Sequence, residues 1–146
     1  MRITYKGDYA LKTILALALH YGNGPFTIHD IAKNADMPIK FLEQILLDLK
    51  RGNFVESKRG KVGGYLLAKP PSQINLGEVI RFIDGPLEPV ACVSSDYKGC
   101  KDINKCVFRS IWRKVADLTS GLLDNITFED LVKKNKNFNS SFVYHI

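Results

Sequence analysis

Cysteine is scarce in this sequence, with three among 146 residues, and the count is odd. An odd, small set argues against a disulfide framework, and the absence of any C-x2-C pair removes the usual signature of structural zinc. Long apolar runs are missing too. The longest, Ile14 to Leu19, is far too short to span a bilayer, and Met1 to Lys6 does not lead into a signal-peptide pattern. The expected setting is therefore the cytoplasm, with no membrane partner. The spacing of a Walker phosphate loop is absent, and the glycines at 60, 63 and 64 lead into a strand-like segment rather than a helix. The three histidines, His20, His29 and His145, form no recognisable nucleophile–base pairing with any cysteine, so the chain is not expected to be an enzyme.

What is present is the composition of a protein with a real core: 45% hydrophobic and 25% charged residues, with a formal net charge of +6. The positive charge is uneven. Residues 1–70 hold 11 Lys and Arg against 6 Asp and Glu, whereas 71–146 hold 10 against 9. Within the basic half, Lys50, Arg51, Lys58, Arg59 and Lys61 are offset by Glu56 alone, a local excess suited to attracting phosphate.

Helical spacing of Tyr9, Ala10, Ile14, Leu17 and Ala18 predicts a first helix from about Gly7 to His20, broken by Gly22-Asn23-Gly24-Pro25. Thr27, followed three residues later by Asp30, predicts an N-cap and a short second helix. A tight turn over Asn34 to Met37 precedes a third helix, with Pro38 expected at its first position and Gly52 at its end. At about 100° per residue, Leu42, Ile45, Leu46 and Leu49 share one face of that helix, and Lys40, Glu43, Gln44 and Leu47 gather on the opposite one. Lys, Glu and Gln can donate to or accept from base edges in a major groove. Next, Phe54 to Ser57 and Tyr65 to Ala68 read as two short strands around the basic, glycine-rich turn Lys58 to Gly64. A helix-turn-helix followed by a wing is the expected architecture, with Thr27, Lys40, Glu43, Gln44, Lys58, Arg59 and Lys61 as candidate contacts to double-stranded DNA.

Asn75 and Glu78 predict a capping box for a helix to about Ile83. A further helix begins near Cys106, where Phe108, Ile111, Trp112, Val115, Leu118 and Leu122 form an apolar stripe. Little chain remains to cover it, so homodimerisation is its expected use. Thr127 and Asp130 predict a last short helix. The expected organisation is a winged helix-turn-helix domain over 1–83, a cysteine-bearing loop over 84–106, a dimerisation helix and short terminal helix over 107–134, and a flexible tail over 135–146. The fold class is mainly α with a small β-wing.

All three cysteines, Cys92, Cys100 and Cys106, fall in that loop, separated by polar residues. Soft thiolates on a polar loop suit an iron–sulfur cluster, which tolerates varied spacing but needs a fourth ligand when only three cysteines are present; zinc stays open as the less suited metal.

Several segments together resemble the iron–sulfur branch of the Rrf2 winged-helix transcription regulators: residues 1–10 (MRITYKGDYA), Phe41 to Leu46 (FLEQIL), Val55 to Leu67 with its GGYL, Gly77 to Ile80 (GEVI), the three-cysteine loop, Trp112, and Asn125-Ile126-Thr127. The resemblance covers nearly the whole chain. It implies a homodimer with crossed dimerisation helices, a palindromic operator, and a cluster whose state changes DNA affinity; the expected function is a repressor responding to nitric oxide, redox or iron status. IscR-like members place a histidine ligand three residues beyond the third cysteine, where this chain has Arg109. NsrR-like members use a carboxylate near the N-terminus of the partner chain, and Asp8 stands in the matching Lys6-Gly7-Asp8-Tyr9 context. The resemblance therefore implies Cys92, Cys100, Cys106 and Asp8 as ligands, and a [4Fe–4S] cluster in preference to [2Fe–2S]. The alternative is a cluster-free regulator of the same fold that senses thiol oxidation or a small molecule.

Overall fold

In the computed structural model, which describes residues 1–144 and the side chains of 1–140, Thr4 starts the first helix. Its hydroxyl accepts the Gly7 amide, and α1 runs over Tyr5–Leu19. Thr27 starts α2 (Ile28–Ala35) by accepting the Asp30 amide, as the sequence predicts. The turn into α3 (Ile39–Arg51) is closed by Asp36 in the left-handed region at φ 48°, and Met37 donates back to the Ala32 carbonyl while burying its side chain. Pro38 is the N-cap of α3 rather than its first helical residue. Its extended ψ of 138° places it just outside the helix, which moves the expected start by one position.

The expected face of α3 is the buried one, with Leu42, Ile45, Leu46 and Leu49 at most 1% exposed. They meet Ala10, Ile14 and Leu17 of α1 and Ile31 of α2 in one core. Strands β1 (Val55–Lys58) and β2 (Gly64–Leu67) pair antiparallel, Val55 opposite Leu67 and Lys58 opposite Gly64. Phe26, just ahead of α2, exchanges both backbone hydrogen bonds with Tyr65 and ties the wing to the helix-turn-helix. A Cβ at Gly64 would lie 2.6 Å from the Phe26 carbonyl oxygen, so only glycine allows this approach.

Helix α4 (Leu76–Asp84) opens with the predicted capping box: Asn75 accepts the Glu78 amide, and Glu78 accepts the Asn75 amide. Helix α5 (Val107–Asp124) follows the cysteine loop, and α6 (Phe128–Tyr144) returns to the head. Phe128 is fully buried in the head's core, and flanking backbone bonds run from Leu76 N–H to the Ile126 carbonyl and from Phe128 N–H to the Ile74 carbonyl, both at 2.9 Å.

Two expectations for the C-terminal part are corrected by α6. It spans 17 residues and is not short, and residues 135–144, expected to be tail, continue it. A side-chain bond four residues apart, Asn139 to Asn135, supports this extension, at whose start the apolar spacing is interrupted over Lys133 to Asn137. Residues 145 and 146 of the expected tail lie outside the described residues.

Candidate functional site

Burying the apolar face of α3 forces the opposite face outward, and Lys40, Glu43 and Gln44 are exposed there. The wing turn carries exposed Lys58, Arg59 and Lys61 on the same helix-turn-helix unit, and the Gly63 amide closes it on the Gly60 carbonyl at 3.0 Å. A Cβ on Gly63 would fall 2.5 Å from the Lys58 carbonyl, so the tightness of this basic tip depends on that glycine. Thr27 is exposed at the start of α2, but its hydroxyl is already engaged: it accepts the Asp30 amide and donates to the Asp30 carboxylate at 2.8 Å. Its first task is capping, which fixes the entry to α2.

An ion pair ties the polar side of α3 to α1. Lys6 of α1 lies 2.6 Å from Asp48 Oδ2, whose carboxylate also meets Arg51 at 3.6 Å and accepts from Gln44 Nε2 at 3.4 Å. The Lys6 ammonium, aided by Gln44 and Arg51, holds the Asp48 carboxyl below the usual carboxylate range despite opposing burial. The first turn of α1 is fixed from the other side as well. Asp84, the last residue of α4, accepts the Thr4 amide at 3.0 Å and the Thr4 hydroxyl at 2.5 Å. Gly7 leaves room for that carboxylate, since a Cβ there would sit 2.2 Å from its oxygen.

The cysteine loop leaves α4 through Gly85 and Pro86. Cys92 is half-buried within the short 3-10 turn Ala91–Val93, Cys100 is exposed, and Cys106 is the exposed N-cap residue of α5. All three are free thiols. Among the described residues, no three His, Cys, Asp or Glu side chains converge closely enough to hold a metal ion, so the structure places the three cysteines on one loop without bringing their sulfurs together. The donor set nevertheless matches an iron–sulfur cluster in chemistry: three unpaired thiols, two of them exposed, on one loop with little regular structure. Asp8, the expected fourth ligand, lies in the first turn of α1 with its side chain 49% exposed and paired to Lys12 at 2.7 Å.

Arg109, the residue standing in place of the histidine, has a structural use. Its Nε donates to the Cys92 carbonyl at 3.0 Å, and one turn later Arg113 reaches the Val93 carbonyl at 3.5 Å. These two guanidinium groups hold the Cys92 turn against α5. At its far end α5 is held by a two-bond Arg81–Asp124 pair, 2.6 and 2.9 Å, which raises the Arg81 pKa and lowers that of Asp124. Between these anchors the expected stripe is open: Phe108 60% exposed, Ile111 51%, Leu118 75% and Leu122 63%, with Trp112 and Val115 less so. Sequence reading missed Lys6–Asp48, Thr4–Asp84, Arg81–Asp124 and both arginine clamps. The Gln44–Asp48 spacing of four was legible; partners 42 or 80 positions apart carry no local signal.

A polar-faced helix held beside a basic β-wing defines the class: a winged helix-turn-helix DNA-binding protein. Its family follows from comparison. The chain belongs to the Rrf2 family, whose model, described as an iron-dependent transcriptional regulator, matches residues 3–134. The HTH-type transcriptional regulator IscR of Cronobacter sakazakii is 37% identical over 136 residues, covering 93% of this chain and 83% of that protein. Among solved structures, CymR, the global cysteine regulator of B. subtilis, superposes with a TM-score of 0.76 at 33% identity, covering 92% of this chain and 98% of CymR. The IscR of T. potens gives 0.72 at 30% identity, with 92% and 88% covered. The chain is thus a DNA-binding transcription regulator, and its curated relatives are regulators rather than enzymes. Among the described residues no helix is long and apolar enough to cross a membrane.

Proposed function

We propose that this regulator is a homodimeric repressor whose affinity for a palindromic operator is set by an iron–sulfur cluster held on the 92–106 loop. The observation that carries this reading is the confinement of every cysteine, all free, to one loop clamped onto α5 by Arg109 and Arg113. Cys92, Cys100 and Cys106 would hold the cluster, with Asp8 of the partner subunit as fourth ligand. When bound it supplies a redox- and nitric oxide-reactive iron centre, [4Fe–4S] in preference to [2Fe–2S], with one carboxylate-ligated iron easier to displace.

The chain's own residues do the rest. The α5 stripe of Phe108, Ile111, Trp112, Val115, Leu118 and Leu122 pairs with its symmetry mate, which brings two DNA-reading units to two half-sites. Arg59 and Lys61 contact phosphate or enter the minor groove, Lys58 supports them, Thr27 sets α2 on the backbone, and Lys40, Glu43 and Gln44 face base edges. Asp8 shares its helical turn with Lys6, so a change in what Asp8 binds moves a residue bonded to α3. The test is anaerobic purification followed by iron and sulfide analysis, a visible spectrum, and footprinting of both cluster-loaded and cluster-free protein. Stoichiometric iron and sulfide with a state-dependent footprint are expected. Their absence overturns the reading.

The second reading, a cluster-free sensor of thiol oxidation or a small molecule, is favoured by the exposure of Cys100 and Cys106, and the likeness to CymR, a cysteine regulator, leaves it open. Footprints that change with thiol oxidant in iron-free protein would support it.

A further inference from the structure

We infer that Asp48 is a positioning residue for base recognition: it orients the Gln44 amide so that Gln44 reads adenine, and Lys6 makes that orientation depend on the first turn of α1. The inference rests on the reading of α3 as the DNA-facing helix. Asp48 lies one turn beyond Gln44 on α3, and its carboxylate can only accept hydrogen bonds. An amide facing it must therefore present nitrogen, because the carbonyl orientation would set two electron-rich oxygens against each other. The Nε2 to Oδ1 distance of 3.4 Å is long, so the bond itself is weak, and the charge of the carboxylate is what selects between the two flips.

With one N–H turned to Asp48, Gln44 offers outward its second N–H and its carbonyl oxygen. That pair complements the N7 acceptor and N6 donor of adenine, and it does not complement guanine, which presents two acceptors. Asp48 would be a poor anchor if it were itself free to swing. It is not: the side chain is 15% exposed, Lys6 holds Oδ2 at 2.6 Å, and Arg51 stands 3.6 Å from Oδ1. Thr4 and Asp84 fix the turn that carries Lys6. A displacement of α1 at its N-terminus thus reaches Asp48 through one ion pair and Gln44 through one further contact.

The experiment uses the full chain and the duplex it selects from a randomised library, with each A·T pair of the half-site replaced in turn by G·C. Asp48→Asn keeps the shape and frees the amide to flip, so discrimination at one base pair should fall roughly tenfold, within the range a bidentate contact supplies. In a Gln44→Ala background the same change should have no further effect at that pair. Lys6→Met, which leaves the DNA-facing surface intact, should reduce discrimination at the same pair by a smaller factor, and serves if Asp48→Asn folds poorly. A Gln44→Ala variant with unchanged base preference overturns the placement of Gln44 at a base edge, and this proposal with it. Altered preference for Gln44→Ala but equal weakening on all sequences for Asp48→Asn overturns the role of Asp48 alone. An effect of Asp48→Asn with none for Lys6→Met overturns the tie to α1.

Discussion

Leu118, 75% exposed, is the most open residue of the α5 stripe, and its replacement by Ala is the simplest perturbation of the proposed dimer. Leu→Ala removes three carbons, worth about 0.8 kcal/mol each when buried. Scaling by the three-quarters of the side chain that is open to a partner gives somewhat under 2 kcal/mol per subunit. An isologous interface counts the loss twice, so the dimer weakens by about 2–4 kcal/mol, or roughly 30- to 1,000-fold in Kd. The fold of each subunit should survive, because Leu118 contributes nothing to the head's core. Sedimentation equilibrium across a range of concentrations reads the Kd, and thermal unfolding followed by circular dichroism checks the subunit. A variant as dimeric as wild type at every concentration would refute the use of this stripe, and so would a monomer that has lost its helicity.

Three further outcomes follow from other parts of the molecule. Arg59→Gln and Lys61→Gln should each lower the slope of log affinity against log salt by roughly 0.9 per lost phosphate contact, whereas Glu43→Ala should change which operators bind; equal weakening on all sequences would remove Glu43 from the base-reading set. Arg109→Gln removes the stronger clamp on the Cys92 turn, so Cys92 in cluster-free protein should alkylate faster with iodoacetamide while Cys100 keeps its rate, and unchanged rates would show that the clamp does not restrain the turn. Asp48 and Asp124 both have carboxyl groups held below the ordinary value by Lys6 and Arg81 respectively; their stabilisation is complete above about pH 4 and is lost as the pH falls through their folded values. Asp48→Asn should accordingly flatten the acid limb of a stability-against-pH curve measured by urea unfolding, and an unaltered limb would show that the ion pair contributes nothing.

Local signals made most of the head legible. The caps at Thr27 and Asn75, the four leucine and isoleucine positions of α3, and the basic turn between two strands are all encoded within a few residues of where they act. Thr4 escaped because its cap precedes a segment whose start the apolar spacing placed at Gly7. The length of α6 escaped because Lys133 to Asn137 interrupts its apolar spacing, and the residues that dock the helix, buried Phe128 with half-buried Leu131 and Val132, all lie in its first turns. At the site, the thiols and the exposed face of α3 could be read from residue type and spacing. The Lys6–Asp48 pair, the Asp84 grip on Thr4 and the reach of Arg109 to the Cys92 carbonyl arise when distant segments pack, and residue patterns do not encode them.

The most direct measurement is operator affinity, by fluorescence anisotropy under anaerobic conditions, of one preparation before and after its iron is removed by chelation, with Cys106→Ala run alongside. A cluster-controlled regulator should show a visible absorption band that disappears with the iron, and an operator Kd that changes at least tenfold in the same step. Cys106→Ala should lack the band and start at the iron-free affinity. Identical affinities in all three samples, with iron demonstrably bound in the first, would contradict control of DNA binding by a cluster on this loop.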